Sequence, residues 1–254
     1  VTPITCNANG SVVINATGGW GGNSYTLTQP DTTVLPAQGS NTFSNLSQSG
    51  TYTATVTDSK GCVQTITFNL STPTAPTASI AITSDYCFDP INGATLEVTA
   101  AGGITPYEYN INGGPFGASN IFSNLTPGNY TIIVRDAYGC TVTLPAQTIA
   151  PQVTVTTVLT KELDCTVSPD AVITGTITGG YSPFTYAVSI NGAAYSSLGA
   201  TGSPFVYTTA TDGTYQFQIT DARGCQTESN VITISPITNP VVTGTPTNVS
   251  CNGV

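Results

Sequence analysis

Cysteine is the residue type whose spacing in this chain points most directly to chemistry. The 254 residues include seven cysteines and no histidine, and the cysteines form two series. The first ends the segments VTDSKGC, VRDAYGC and ITDARGC, and its members, called hairpin cysteines below, are Cys62, Cys140 and Cys225. The leading cysteines, which begin each repeat, are Cys6, Cys87, Cys165 and Cys251. This regularity without histidine favours disulfides over zinc and indicates an oxidising, extracellular environment.

Two pairing schemes follow from two cysteines per repeat. We expect pairing within each repeat, which closes loops that stabilise by roughly 4 kcal/mol each in the chain-entropy model; the pairs are Cys6–Cys62, Cys87–Cys140 and Cys165–Cys225. The alternative joins a leading cysteine to the hairpin of the following repeat, as Cys6–Cys140 and Cys87–Cys225, and leaves Cys62, Cys165 and Cys251 unpaired. The first and last hairpins of an immunoglobulin topology lie at opposite ends, which is an objection to the first scheme.

An aspartate precedes each Gly-Cys pair, and these three carboxylates are Asp58, Asp136 and Asp221. Asp-x-x-Gly-Cys predicts a tight hairpin, because Asp bonds nearby backbone N–H groups and Gly adopts a positive φ. Calcium is the one metal we consider for these residues, although it needs six to eight oxygens and each hairpin brings a single carboxylate. We expect no other cofactor. Without histidine or a single-copy polar constellation, we also expect no enzymatic activity.

Aromatic residues lie on or beside the turn that follows each double glycine, including Trp20, Tyr107 and Tyr181. Exposed rings at such turns stack on sugar faces, so these three are candidate glycan contacts. Aromatic residues that begin strands more often fill a sandwich core or its end. Both interpretations stay open at this stage.

The elements that position these residues recur about every eighty residues. Each unit has a strand that closes on a double glycine, an aromatic strand carrying Tyr25, Tyr109 or Tyr186, and a strand before the Asp hairpin. In TYTATVTD, Tyr52, Ala54 and Val56 share one face and threonines the other, which predicts a half-buried strand. Short strands separated by Gly, Pro and Asn turns predict an all-β tandem array of immunoglobulin-like (fibronectin III-like) β-sandwich repeats.

Proline-punctuated, Thr-rich segments predict the domain boundaries. The repeats are residues 1–73, with a truncated leading strand, 74–150 and 151–236, followed by the start of a fourth repeat at 237–254. We expect the printed sequence to begin and end inside a longer array.

Charge limits the partners that this chain can bind. Four basic residues stand among thirteen acidic ones, and the net charge is −9. Nucleic-acid binding needs clustered Lys and Arg, so we expect none. Membrane insertion is not expected either, since no apolar run approaches the roughly 18 residues of a spanning helix.

The repeat resembles the SprB-type repeat of flavobacterial gliding adhesins and related large Bacteroidetes cell-surface proteins. The shared pattern is an early Cys, Gly-Gly, Pro-Tyr-x-Tyr, Asn-Leu, Gly-x-Tyr and Val-x-Asp-x-x-Gly-Cys, and the second repeat matches it throughout. The first repeat replaces Pro-Tyr with Asn23 and Ser24, and the third lacks Asn-Leu. The resemblance implies a long cell-surface protein exported by the type IX secretion route, in which such repeats form the stalk.

We therefore expect a non-catalytic, adhesive stalk, secreted to the extracellular space or cell surface, whose main partners are neighbouring repeats of the same chain. Extracellular polysaccharide and other copies of the chain are the further partners considered. Two alternatives are a glycan-binding module that gains avidity by repetition and a self-assembling fibre that pairs edge strands.

Overall fold

The computed structural model describes residues 1–166 and 168–245, and every regular element in these ranges is a β-strand. The strands form two compact units. The first comprises residues 1–85 and 90–149; the second comprises 86–89 and 150 onward. Among the described residues, no helix is long and apolar enough to cross a membrane.

The first sequence repeat forms a two-stranded sheet, β1–β4, and a four-stranded antiparallel sheet in the order β3-β2-β5-β6. Its core lies between them and includes Leu27, Phe43, Leu46 and Tyr52. The strands are β1 (Gly10–Val13), β2 (Ser24–Thr28), β3 (Val34–Gln38), β4 (Thr42–Leu46), β5 (Gly50–Thr57) and β6 (Val63–Leu70).

The second repeat, in the same unit, has sheets in the orders β10-β8-β7 and β13-β12-β9 and the pair β11–β14. Leu96, Ile132, Val134 and Ile149 are buried. The strands are β7 (Thr77–Ile80), β8 (Ala94–Ala101), β9 (Glu108–Ile111), β10 (Ile121–Leu125), β11 (Gly128–Tyr130), β12 (Ile132–Arg135), β13 (Thr141–Thr143) and β14 (Gln147–Ile149).

The second unit contains the third repeat, with a three-stranded sheet, β15-β16-β19, and a five-stranded sheet in which β18-β17-β20-β21 is extended by β22 beside β20. Ile173, Phe205, Phe217 and Ile234 lie in its core. The strands are β15 (Thr154–Lys161), β16 (Ala171–Thr178), β17 (Phe184–Ile190), β18 (Ser196–Thr201), β19 (Phe205–Thr209), β20 (Gly213–Thr220), β21 (Gln226–Glu228) and β22 (Ile232–Ile234).

The predicted all-β, sandwich-type class is confirmed, and the alternating strand behaves as its pattern predicts. Tyr52 and Ala54 are buried while Thr51 is exposed. Of the aligned tyrosines, Tyr25 and Tyr109 are buried and Tyr186 is half-buried against the core of the second unit. The boundaries 1–73, 74–150 and 151–236 stay a prediction, and half of the predicted fourth repeat, residues 246–254, lies outside the described residues.

The strand that enters each double glycine differs in length. Strands β8 and β16 have eight residues, whereas β1 has four. In the second and third repeats, the strand that precedes the eight-residue strand pairs with it. For example, β7 pairs with residues Val98–Ala101 of β8. No described strand pairs with the equivalent residues 14–17 of the first repeat, so β1 ends early.

Candidate functional site

The Asp hairpins are the local structures on which the candidate site is built. In each, carboxylate Oδ1 accepts hydrogen bonds from the backbone N–H groups two and four residues ahead. For Asp136 the donors are Tyr138 at 2.9 Å and Cys140 at 2.8 Å. Asp58 binds Lys60 and Cys62 in the same way, and Asp221 binds Arg223 and Cys225. The carboxylate therefore holds the hairpin cysteine in place.

The second carboxylate oxygen ties the hairpin to the double glycine. Oδ2 accepts the N–H of the residue that follows the second glycine, and the three donors are Trp20 at 3.1 Å, Ile104 at 3.0 Å and Tyr181 at 3.0 Å. The second glycine has a positive φ each time, and a Cβ on Gly103 would lie 2.6 Å from Asp136 Oδ2. The double glycine and the Asp hairpin thus form a single motif, separated in sequence but joined by the carboxylate.

These contacts bear on the calcium hypothesis. The pKa of Asp58 lies below its ordinary value because the carboxylate accepts hydrogen bonds from two backbone N–H groups. That of Cys62 has the larger effect, and that of Trp20 comes next. Within the described ranges, no group of three or more His, Cys, Asp or Glu side chains could hold a metal ion. Calcium ligation by Asp58, Asp136 or Asp221 stays a prediction; the hydrogen bonds are those expected of a turn.

The disulfides join different sequence repeats. Cys6 is bonded to Cys140 with Cα atoms 5.0 Å apart, and Cys87 is bonded to Cys225 with Cα atoms 5.4 Å apart. The expected pairs Cys6–Cys62, Cys87–Cys140 and Cys165–Cys225 are therefore wrong, and the alternative scheme is correct for both bridges.

The physical reason is the position of the two cysteines within one sandwich. In the third repeat, Cys165 precedes β16, whereas Cys225 lies in the hairpin that Asp221 ties to Tyr181, beyond the other end of β16. An eight-residue strand spans about 26 Å, and a disulfide requires Cα atoms within about 7 Å. Cys165 therefore cannot reach the hairpin of its own repeat.

The leading segments also make noncovalent contacts with the hairpins. In the first unit, the N–H of Cys6 donates to the carbonyl of Tyr138 at 3.0 Å. The Asn7 side chain lies against Gly139, where an added Cβ would be 1.9 Å from Asn7 Nδ2. The hairpin glycine thus leaves space for the leading segment, besides providing a positive φ.

An aromatic stack forms at the equivalent place in the second unit. The Arg223 guanidinium lies 3.9 Å from the centre of the Tyr86 ring, and this ring meets Tyr181 edge-on at 6.2 Å. The Tyr181 hydroxyl accepts the N–H of Ala150 at 2.8 Å, and burial raises its pKa. Cation–π contacts contribute on the order of 1 kcal/mol. The stack therefore fixes the leading segment on the hairpin in addition to the disulfide.

We expect Gly139→Ala to destabilise the first unit more than Gly61→Ala. Both glycines have a positive φ, so both variants carry a backbone cost of about 1 kcal/mol. Only at Gly139 does the new methyl group meet Asn7, which adds roughly 1 to 2 kcal/mol. Urea unfolding followed by circular dichroism measures the difference, and equal losses would contradict the contact.

The other cysteines are not bridged in the part of the chain that the structure describes. Cys62 and Cys165 are free and exposed, and Cys251 lies outside the described residues. The bonded hairpin cysteines are buried, with Cys140 1% and Cys225 8% exposed.

The glycan candidates occupy three different environments. Trp20 is 73% exposed. Tyr107 is half-buried and donates its hydroxyl to the carbonyl of Gly102, whereas Tyr181 belongs to the stack. Glycan binding at these residues stays a prediction. Asn7, Tyr86 and Arg223 were not predicted as contact residues from the sequence, and the available signal was their position beside the cysteines.

These strands, sheets and buried cores define an all-β protein of immunoglobulin-like sandwiches. The model of the SprB repeat family matches residues 1–32, which confirms the resemblance for that segment. No curated protein matches the chain in sequence.

Solved structures with similar folds include several arrays of extracellular domains. They include a tetra-tandem repeat in the extending region of a large adhesion protein (15% identity; 84% of this chain and 66% of that chain; TM-score 0.28). Another is invasin, a bacterial integrin-binding protein (13% identity; 93% of this chain and 58% of that chain; TM-score 0.28). A third is the N-terminal eight Ig domains of Down Syndrome Cell Adhesion Molecule (14% identity; 90% of this chain and 34% of that chain; TM-score 0.30). This chain thus spans about two thirds or less of each. Scores this low carry no argument, so the fold assignment rests on the strand pairing.

Proposed function

We propose that this chain is a load-bearing section of the stalk of a bacterial cell-surface adhesin, and that it acts without catalysis. The observation that carries the proposal is the interleaved pair of disulfides: Cys87 lies inside the loop closed by Cys6 and Cys140, and Cys140 lies inside the loop closed by Cys87 and Cys225. The SprB match at residues 1–32 supports it, and so do the disulfides, which are typical of extracellular proteins. Export by the type IX route and a role in gliding motility belong to the same proposal.

Interleaving limits how far the chain extends even when every repeat is unfolded. The shortest covalent route between the termini runs from residue 1 to Cys6, across to Cys140, back to Cys87, across to Cys225 and on to residue 254. This route contains about a third of the residues. At ~3.5 Å per residue it reaches ~300 Å, against ~900 Å for the reduced chain. A stalk with this limit keeps its length under tension.

Single-molecule stretching of the full chain by its termini tests the proposal, with Cys62, Cys165 and Cys251 replaced by serine to prevent disulfide exchange. Removing either bridge should lengthen the unfolded chain by only ~100 Å, because the remaining bridge still prevents the residues of its own loop from extending. Removing the second should then add ~500 Å.

This strong non-additivity distinguishes interleaved bridges from independent ones. If removing a bridge adds the same length whether or not the other bridge is present, the bridges act independently. The proposed limit on extension by interleaved bridges is then wrong. If the oxidised and reduced chains extend to the same length, the disulfides do not limit extension at all.

A further inference from the structure

The segment that joins the first repeat to the second is held less firmly than the one that joins the second to the third. The first linker, residues 71–76, separates β6 from β7, and the second linker, residues 150–153, separates β14 from β15. Four of the six residues of the first linker are exposed, whereas Ala150 and Val153 of the second are buried. Exposed segments outside the strands are the usual sites of proteolytic cleavage, so the first linker is the more open to a protease.

Two hydrogen bonds hold the second linker in place. The backbone N–H of Ala150 donates to the Tyr181 hydroxyl at 2.8 Å, and the N–H of Gly180 donates to the carbonyl of Pro151 at 2.9 Å. An added Cβ on Gly179 would lie 2.2 Å from a backbone oxygen of the linker. The second linker therefore lies directly against the double glycine.

The first of these bonds cannot form in the first linker. Counted back from the next strand, Pro73 stands where the second linker has Ala150, and a proline has no N–H to donate. Ile104 stands where the third repeat has Tyr181, the residue after the double glycine, so the hydroxyl is missing as well. Both the donor and the acceptor of the bond are therefore absent from the second repeat.

The first linker also lies farther from its double glycine. An added Cβ on Gly102 would be 3.9 Å from the carbonyl oxygen of Ala75, against 2.2 Å at the equivalent Gly179. Among the described residues, those at positions 72–75 make no hydrogen bond. Extended peptides are bound through their backbone groups, and in this linker those groups are available to a protease.

We infer that the Thr74–Ala75 bond is a cleavage site for an extracellular endoprotease that accepts small, uncharged side chains. The linker contains no basic or aromatic residue for a protease that requires one beside the bond it cuts. The other three bonds between residues 72 and 76 each involve Pro73 or Pro76, whose rings restrict the backbone. Hydrolysis breaks the C–N bond, and water supplies the hydroxyl of the new Thr74 carboxyl group and the hydrogen of the new Ala75 amine.

A cut at this bond leaves one covalent molecule. Cys6 precedes the site and Cys140 follows it, so their bridge joins the two fragments. The shortest covalent route between the termini passes from Cys6 directly to Cys140 and does not include residues 7–86. The cut therefore lies off this route, and a cut chain keeps its maximum length. This last consequence rests on the proposed function, whereas the cleavage site itself does not.

Limited digestion of the full, oxidised chain with pancreatic elastase, a protease of this specificity, tests the inference. We expect the first cut between Thr74 and Ala75, identified by mass spectrometry as fragments 1–74 and 75–254. In denaturing gels the fragments should migrate as one species before reduction and as two after it. Ala75→Pro should slow this cut roughly tenfold or more. The variant should keep its circular dichroism spectrum, since Ala75 is exposed and its N–H makes no hydrogen bond among the described residues.

A pair of variants tests why the first linker is open. Pro73→Ala restores a backbone N–H, and the addition of Ile104→Tyr supplies the hydroxyl that holds the second linker through Tyr181. One hydrogen bond of this kind corresponds to a factor of about five. The double variant should therefore be cut roughly fivefold more slowly than Pro73→Ala alone. Equal rates would overturn the inference that the missing bond opens the linker.

The two parts of the inference fail in different ways. A first cut at any other position would overturn the cleavage site and leave the proposed function intact. Fragments that separate before reduction would overturn the joined, two-fragment form and the proposed function with it, because both need the Cys6–Cys140 bridge. The digestion therefore shows which of the two proposals is wrong.

Discussion

Replacing both Cys6 and Cys140 with serine should lower the free energy of unfolding of the first unit by about 4 to 5 kcal/mol. The bridge has a sequence separation of 134, and the chain-entropy model gives about this stabilisation for loops longer than a hundred residues. Amide hydrogen exchange in increasing urea measures the change when it is followed at Tyr52 and Ala54, which are buried in this unit.

Two matched variants control for the loss of thiols. Cys62→Ser removes an exposed, free cysteine from the same unit and should leave the transition unchanged. Replacement of Cys87 and Cys225 removes a bridge from the second unit, so it should leave hydrogen exchange at Tyr52 and Ala54 unaffected. A Cys6/Cys140 variant as stable as Cys62→Ser would show that this bridge does not stabilise the unit.

Asp136→Ala should destabilise the second repeat by about 3 to 5 kcal/mol. The carboxylate is 3% exposed and accepts three backbone N–H groups, from Ile104, Tyr138 and Cys140. Hydrogen bonds to a charged acceptor contribute about 1.5 to 3 kcal/mol each, and donors left buried without a partner add a desolvation penalty. Urea unfolding followed by circular dichroism measures the loss.

Asp31 provides the matched control, because its carboxylate is exposed and accepts bonds from Thr33 and Gln48. Asp31→Ala should have little effect. Asp136→Ala should also raise the fraction of unbonded Cys6 in a glutathione buffer, since Asp136 fixes the hairpin that holds Cys140. A variant with unchanged stability and a fully formed Cys6–Cys140 bridge would contradict the structural role assigned to Asp136.

The fold was predictable because the repeat supplies three copies of each local pattern. Alternation placed Tyr52 and Ala54 in the core, and alignment of the repeats placed Tyr25 and Tyr109 on buried strands. Local patterns of this kind depend on neighbouring residues, whose relative positions a strand fixes.

Disulfide pairing could not be derived in the same way. With one leading and one hairpin cysteine per repeat, the spacing is the same whether Cys140 bonds Cys87 or Cys6. The difference arises from the length of the sandwich, which separates the two ends of one repeat and brings Cys6 to the hairpin of the next. The link between Asp136 and Gly103 was also missed, because these residues are adjacent only after the strands have paired.

Peptide mapping without reduction is the measurement that tests most directly whether the repeats are bonded in series. The full chain is purified from an oxidising compartment, its free thiols are blocked, and the digest is analysed by mass spectrometry before and after reduction. The structure predicts linked peptides containing Cys6 with Cys140 and Cys87 with Cys225, and blocked thiols at Cys62 and Cys165. Linked peptides containing Cys6 with Cys62, or Cys165 with Cys225, would show instead that the disulfides form within each repeat. That result would contradict the interleaved bridges on which the proposed function rests.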